Sequence, residues 1–402
     1  MRAIAEGKEP LPPSSARRHH FVPAFALAQF AEPQGSRKGW MYQLDVESGA
    51  PQRTRPDDAA FVKDLYTYEN RQGELSRTVE SFFAIVEKHA APALDCLRHD
   101  PVSLSLQDRF TIAFFLAFQE SRTPTGLIRT EHMRQAAFEL KASMSLSNRE
   151  AFRKKFDSDL TRSMSLEELE ATRRRMQKQL LEGRVRYESP RSGALTQIMN
   201  LATEIADEIF SLKWIVLTAQ GADFVTSDRP ISMVDHAPKH PWSGNAWKSS
   251  HDAISFYPLS PIKGLLMTAG DHGLTTETSN HRQVRRLNLP TYGWAERFIY
   301  GRSQEVVGRV RRHARSHPKD IARPRPPKQV LLMPAGALSP AVTAEYARRG
   351  WPTSLPATGK DGRVEEMGYI VVDFADPAGS VAQIGTEIAE ALNRGVEKNS
   401  TA

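Results

Sequence analysis

The hydrophobic period changes once along this chain, and that change limits the fold more than any other feature. Val79, Phe82, Phe83, Val86, Ala90, Leu94 and Leu97 recur at helical spacing, as do Phe110, Phe114, Ala117 and Phe118 within 106–121. From position 214 the apolar stretches become short. Segments 214–218, 223–227, 253–257 and 264–268 are bounded by Gly, Pro, Asp or Asn and read as strands. A run of helices followed by a run of strands predicts an α+β protein, with a helical middle region (about 76–212) packed on a mixed or antiparallel sheet. WMYQLDV at 40–46, followed by Glu47-Ser48-Gly49, predicts an N-terminal hairpin that joins the sheet.

The boundaries follow from the punctuation. Ser76 reads as the N-cap of the first helix, and Pro124 as the end of the second. Residues 127–183 read as helical but polar, and Leu195, Ile198, Ala202, Ile205 and Ile209 mark one more amphipathic helix. The expected organisation is a flexible tail (1–16), a main α+β domain (17–312), a basic Pro-rich linker (313–328) and a small C-terminal α/β segment (329–402). Within the last, 330–334 and 369–374 read as strands and 380–392 as a helix. Residues 230–250 have little periodicity and read as a long surface loop.

Composition enters where it excludes a class. The longest apolar run, 112–118, is far below the roughly 20 residues that cross a bilayer, so no membrane is expected. The opening MRAIAEGKEPLPPSS lacks the apolar stretch of a secretory signal, and Cys96 is the single cysteine. A cytoplasmic location is the expectation. The net charge of +7 is accounted for by 302–328, where nine Lys and Arg oppose Glu305 and Asp320. Nucleic acid, if bound, is expected at this segment from Arg302 to Lys328; a solvated linker is the blander alternative. P-loop, dinucleotide-binding, H-E-x-x-H, C-x-x-C and G-x-S-x-G signatures are all missing, which argues against the enzyme classes they mark.

Several local features carry polar chemistry. Arg17-Arg18-His19-His20-Phe21-Val22-Pro23 offers two imidazoles, as bases, ligands or packed side chains. Phe224-Val225-Thr226-Ser227-Asp228-Arg229-Pro230 ends an apolar strand in a carboxylate, which suits metal coordination, base catalysis or an Asx-turn equally. Gln119 and Arg122 lie three apart at a helix end, where Arg122 can hold an anion or interact favourably with the helix dipole. Glu80 and Glu87 are seven apart on one helix face; exposure is expected for Glu80, while Glu87 lies beside the apolar stripe. The pairs His236 with His240 and His313 with His317 are weaker metal candidates.

HHFVPAFALAQF, DLYTYE, QESRTP, a Trp followed by DFVTSDRPI, and YPLSP occur in one order along the chain. Together with Asn288, Ala295 and Tyr300, they resemble the motifs of the bacterial family named domain of unknown function 4238, over about residues 17–303. The resemblance implies a shared fold and no particular activity. It places the family's polar positions at His20, Glu87, Arg122, Asp228 and Asn288, residue types that core packing rarely requires and that suggest one assembled site.

From this mixture the leading expectation is a hydrolase acting on phosphodiester or nucleotide substrates, a nuclease-like effector. Asp228, Glu87 and His20 would hold Mg²⁺ or Mn²⁺, with His20 alternatively the base, Arg122 stabilising phosphoryl charge and Asn288 completing the site. The competing expectation is a non-catalytic sensor or protein-interaction module in which the same residues form a closed structural network.

Overall fold

The computed structural model describes residues 14–70, 72–147, 149–156, 162–185, 191–235, 253–321, 328–333, 354–358 and 364–373, with positions 344 and 347. Most of the expected tail and of the 230–250 loop, including His236 and His240, lies outside the described residues. So do the prolines of the 322–328 stretch and the expected helix at 380–392.

The chain opens with β1 (Arg18–His20) and a short helix α1 (Ala24–Leu27). The alternation at 40–46 forms β2 (Met41–Asp45), which turns at Gly49 into β3 (Pro51–Thr54) as expected. β4 (Phe61–Lys63) returns to pair antiparallel with β1, and β5 (Tyr68–Glu69) pairs with β6 (Leu75–Ser76). Ser76 therefore closes a strand and is not the helix cap.

The helical region follows. It comprises α2 (Thr78–His99), α3 (Leu106–Ser121), α4 (Pro124–Ser145), α5 (Arg149–Lys155), α6 (Leu166–Leu181) and α7 (Arg191–Ser211). Ser105 caps α3 by accepting the N–H of Asp108 at 3.0 Å. Pro124 does not merely end α3: it opens α4, where its missing N–H would have had no helical partner. The spacing of α2 buries Phe82, Phe83, Val86, Ala90, Leu94 and Leu97. Phe82, Phe83 and Phe114 meet the ring of Phe118 edge-on, with centroids 5.0 to 5.5 Å apart.

Strands then alternate with two helices: β7 (Lys213–Ala219), β8 (Thr226–Ser227), β9 (Ser232–Asp235), β10 (Ala253–Ser260), β11 (Lys263–Thr268), β12 (Leu274–Ser279), α8 (His281–Trp294), β13 (Phe298–Gly301) and α9 (Gln304–Ser316). A five-stranded sheet has the order β12-β7-β11-β10-β9 and is antiparallel except where β12 runs parallel to β7. A second sheet, β3-β2-β13-β8, joins the N-terminal hairpin to strands from the far end of the chain. Helix α8 has no apolar signature of the expected kind, because Pro290 lies inside it and arginines interrupt its period. Asn280 starts it by accepting from the N–H groups of Arg282 and Gln283.

The chain divides into two compact units. The first takes the described residues up to Thr130 and those from 191 to 321; its core is built mainly by α2, α3 and α7 with β7, β10 and β11. The second takes 131–189 and the described residues beyond 325. Its helical part has a small core of Leu146, Phe152, Leu169 and Leu180. Its sheet has the order β14-β16-β15, from β14 (Lys328–Met333), β15 (Leu355–Thr358) and β16 (Val364–Asp373). The protein is α+β, and no described helix is long and apolar enough to cross a membrane. Helix α9 continues through Ser316, so the stretch expected to be a linker begins as a helix.

Candidate functional site

The C-terminal end of α3 is the junction at which the polar motifs meet. Arg122 is 1% exposed, and its guanidinium is fully engaged. Nε donates to the Phe21 carbonyl (3.0 Å) and Nη1 to Oε1 of Glu87 (2.9 Å). With its amide oxygen turned toward Arg122, Gln119 accepts from Nε at 2.7 Å and from Nη2 at 2.8 Å. The Arg122 carbonyl in turn accepts from the Tyr66 hydroxyl (2.8 Å). QESRTP is thereby tied to the segments that carry HHFVP and DLYTYE.

Strand alternation decides which histidine joins this cluster. Adjacent residues of β1 face opposite sides, and it is His19 that turns inward. Its Nδ1 accepts from the Tyr66 N–H (2.9 Å) and its Nε2 donates to the Ala16 carbonyl (3.0 Å), so the ring is the Nε2–H tautomer. Burial lowers its pKa and favours this neutral form. His20 faces the other side, where Nε2 meets the Asp57 carbonyl at 3.2 Å; burial lowers its pKa too.

Glu80 and Glu87 face this cluster from α2, two turns apart. Burial, and then the charge of Glu87, push the Glu80 carboxyl up to about 7, with Arg122 pulling the other way. Both residues keep partial solvent exposure, whereas Tyr66 is buried. Arg191, exposed at the start of α7, acts electrostatically on His19 and Tyr66. Glu80, expected to be exposed, is only partly so, because helical spacing alone does not show what packs over the helix.

Asp228 and Asn288 have different surroundings. Asp228 accepts three backbone N–H bonds at 2.8 Å, from Glu296 on Oδ1 and from Arg297 and Phe298 on Oδ2. Burial still pushes its carboxyl up to about 7 against those donors. Asn288 spans a loop, accepting from the Val225 N–H (3.1 Å) and donating to the Asp223 carbonyl (2.9 Å). Both therefore clamp the chain around β8 and β13. Arg229, 3% exposed, donates to Oε1 of Glu120 at 2.6 Å, an oxygen that Arg129 also reaches at 3.2 Å. The guanidinium of Arg229 also lies 4.5 Å above the Trp294 ring.

The five positions expected to form one site thus separate. Arg122 and Glu87 are in direct contact, His20 lies on the far face of β1, and Asp228 and Asn288 make backbone clamps. The expected ligand set of His20, Glu87 and Asp228 is not gathered: among the described residues, no three His, Cys, Asp or Glu side chains are placed to hold a metal ion. The physical reason is the saturation of Asp228 by backbone donors and the outward register of His20.

A model of the family described as protein of unknown function (DUF4238) matches residues 18–305. No curated protein and no solved structure matches the chain. The matched span contains the whole Arg122 junction, the Asp228 and Asn288 clamps and the strands they join, and the chain belongs to the DUF4238 family.

Proposed function

We propose that this protein is a hydrolase that uses Glu80 and Glu87 as an acid–base pair on a phosphodiester or nucleotide bond. One observation carries the reading: two carboxylates share a face of α2 in unequal environments. Glu87 is ion-paired to the buried Arg122, while burial keeps Glu80 able to hold a proton near pH 7. In the reaction Glu87 takes a proton from the attacking water and Glu80 gives its proton to the leaving oxygen as the P–O bond breaks. Arg122 fixes Glu87, and Arg191 supplies positive charge at the rim for the phosphoryl oxygens.

The test is turnover of single-stranded and duplex RNA and DNA and of nucleotides, with EDTA and with Mg²⁺ or Mn²⁺ added. Cation arms are included because two carboxylates and a substrate phosphate are a usual magnesium environment. Glu80→Gln should lower kcat by about 10²- to 10⁴-fold while preserving the fold. Full activity in that variant overturns the reading.

A second reading is a non-catalytic binding module. It is favoured by the closure of the Asp228 and Asn288 clamps on backbone groups. It predicts no turnover of any substrate in the panel, and variants at Asp228 and Arg122 that lose stability alone.

A further inference from the structure

Arg285 of α8 and Arg309 of α9 line a narrow cleft of about 30 Å³ between these two packed helices, with Asn288 and His313 also on its wall. The negative charge at the cleft is already committed. Asp223 is held through both oxygens by Arg302 at 2.8 Å, and Glu305 is bonded to Arg309. Around this point α8 and α9 together carry seven arginines and one carboxylate residue. Arg282, Arg285, Arg286, Arg312 and Arg315 are exposed and have no ion-pair partner among the described residues. Like charges at this density repel, and the counter-charge must come from outside these helices.

We infer that the face formed by α8 and α9 binds the phosphate backbone of a nucleic-acid strand, with one phosphate lying over the mouth of the cleft between Arg285 and Arg309. A guanidinium presents a planar fork that matches phosphate oxygens, and two forks from different helices can hold one tetrahedral group. The remaining exposed arginines extend the positive surface beyond the cleft along helices about 20 Å long. That length suits a strand with several phosphates better than an isolated anion. The inference stands apart from the acid–base reading, since Glu80 and Glu87 contribute nothing to this face.

The experiment is fluorescence anisotropy with a labelled single strand of about 20 nucleotides, titrated from about 50 to 200 mM salt. Full-length wild type is compared with the double variant Arg285→Ala, Arg309→Ala, whose fold is checked by circular dichroism. Binding should weaken linearly in log–log with salt. The double variant should bind roughly tenfold less tightly, with a salt slope reduced by about 0.7, the value for one phosphate contact on a single strand. Equal binding by wild type and double variant, or no binding at the lowest salt, overturns the inference. Competition by tripolyphosphate or an acidic peptide at the strand's own affinity also overturns it, by showing that no strand is required. Glu80→Gln serves as the separating control: it should bind the strand as wild type does, whether or not it hydrolyses anything.

Discussion

Replacing Glu80 by Gln tests the least ordinary group in the molecule through stability, without any substrate. In the folded protein its carboxyl is raised from 4.5 to about 7, first by burial and then by the charge of Glu87. The fold therefore keeps a proton that the unfolded chain has released. Stability from this group is complete below about pH 4.5 and is lost as the pH rises through about 7. At about 1.36 kcal/mol per pH unit, full ionisation within the fold costs about 3 kcal/mol. Glutamine resembles the protonated acid and never ionises. Urea unfolding at about pH 5 should therefore find the two proteins nearly equal, whereas at about pH 8.5 the variant should be the more stable by about 2 to 3 kcal/mol. Other titrating groups are common to both proteins and cancel in the double difference. A difference that does not change with pH would refute the reasoning, because Glu80 would then titrate as an exposed carboxylate.

Other substitutions probe the clamps. In Asp228→Asn at least one of the three backbone donors faces an amide N–H instead of an oxygen. The expected loss is about 3 to 5 kcal/mol in urea unfolding, and neither protein should gain thermal stability from Mg²⁺ or Mn²⁺. Glu120→Gln leaves the buried Arg229 without its anion, for an expected loss of about 3 kcal/mol or more, measured the same way. A Cβ at Gly126 would collide with the Ser121 carbonyl at the junction of α3 and α4, so Gly126→Ala should lower Tm by several degrees. An unchanged melting curve for that variant would show that the junction is free to open.

Much of the scaffold is written in local order. The apolar spacing of α2 and α3 needs only a side to be buried, and the residues it selects, from Phe82 to Leu97, are buried. Segments 214–218, 253–257 and 264–268 form strands because short apolar runs between turn residues have few other solutions. The family resemblance was also legible, because its motifs stand in order along the span that the family model matches. Helix α8 was not, since its period is interrupted by Pro290 and its arginines, and its start depends on Asn280 closing on Gln283.

The site divides along the same line. Sequence by itself determined which residues are polar where a core would be apolar: Gln119, Arg122, Asp228, Asn288 and the two histidines at 19 and 20. Tertiary structure decided what each of them touches. It set His19 rather than His20 against Tyr66, closed Asp228 on the N–H groups of residues 296 to 298, and covered Glu80 enough to raise its carboxyl. The His19 and Asp228 contacts join residues 47 to 70 positions apart in the chain. Helical and strand periods report only which side of an element is covered; the groups that do the covering, and therefore the local dielectric and hydrogen bonding, are fixed when distant segments pack together.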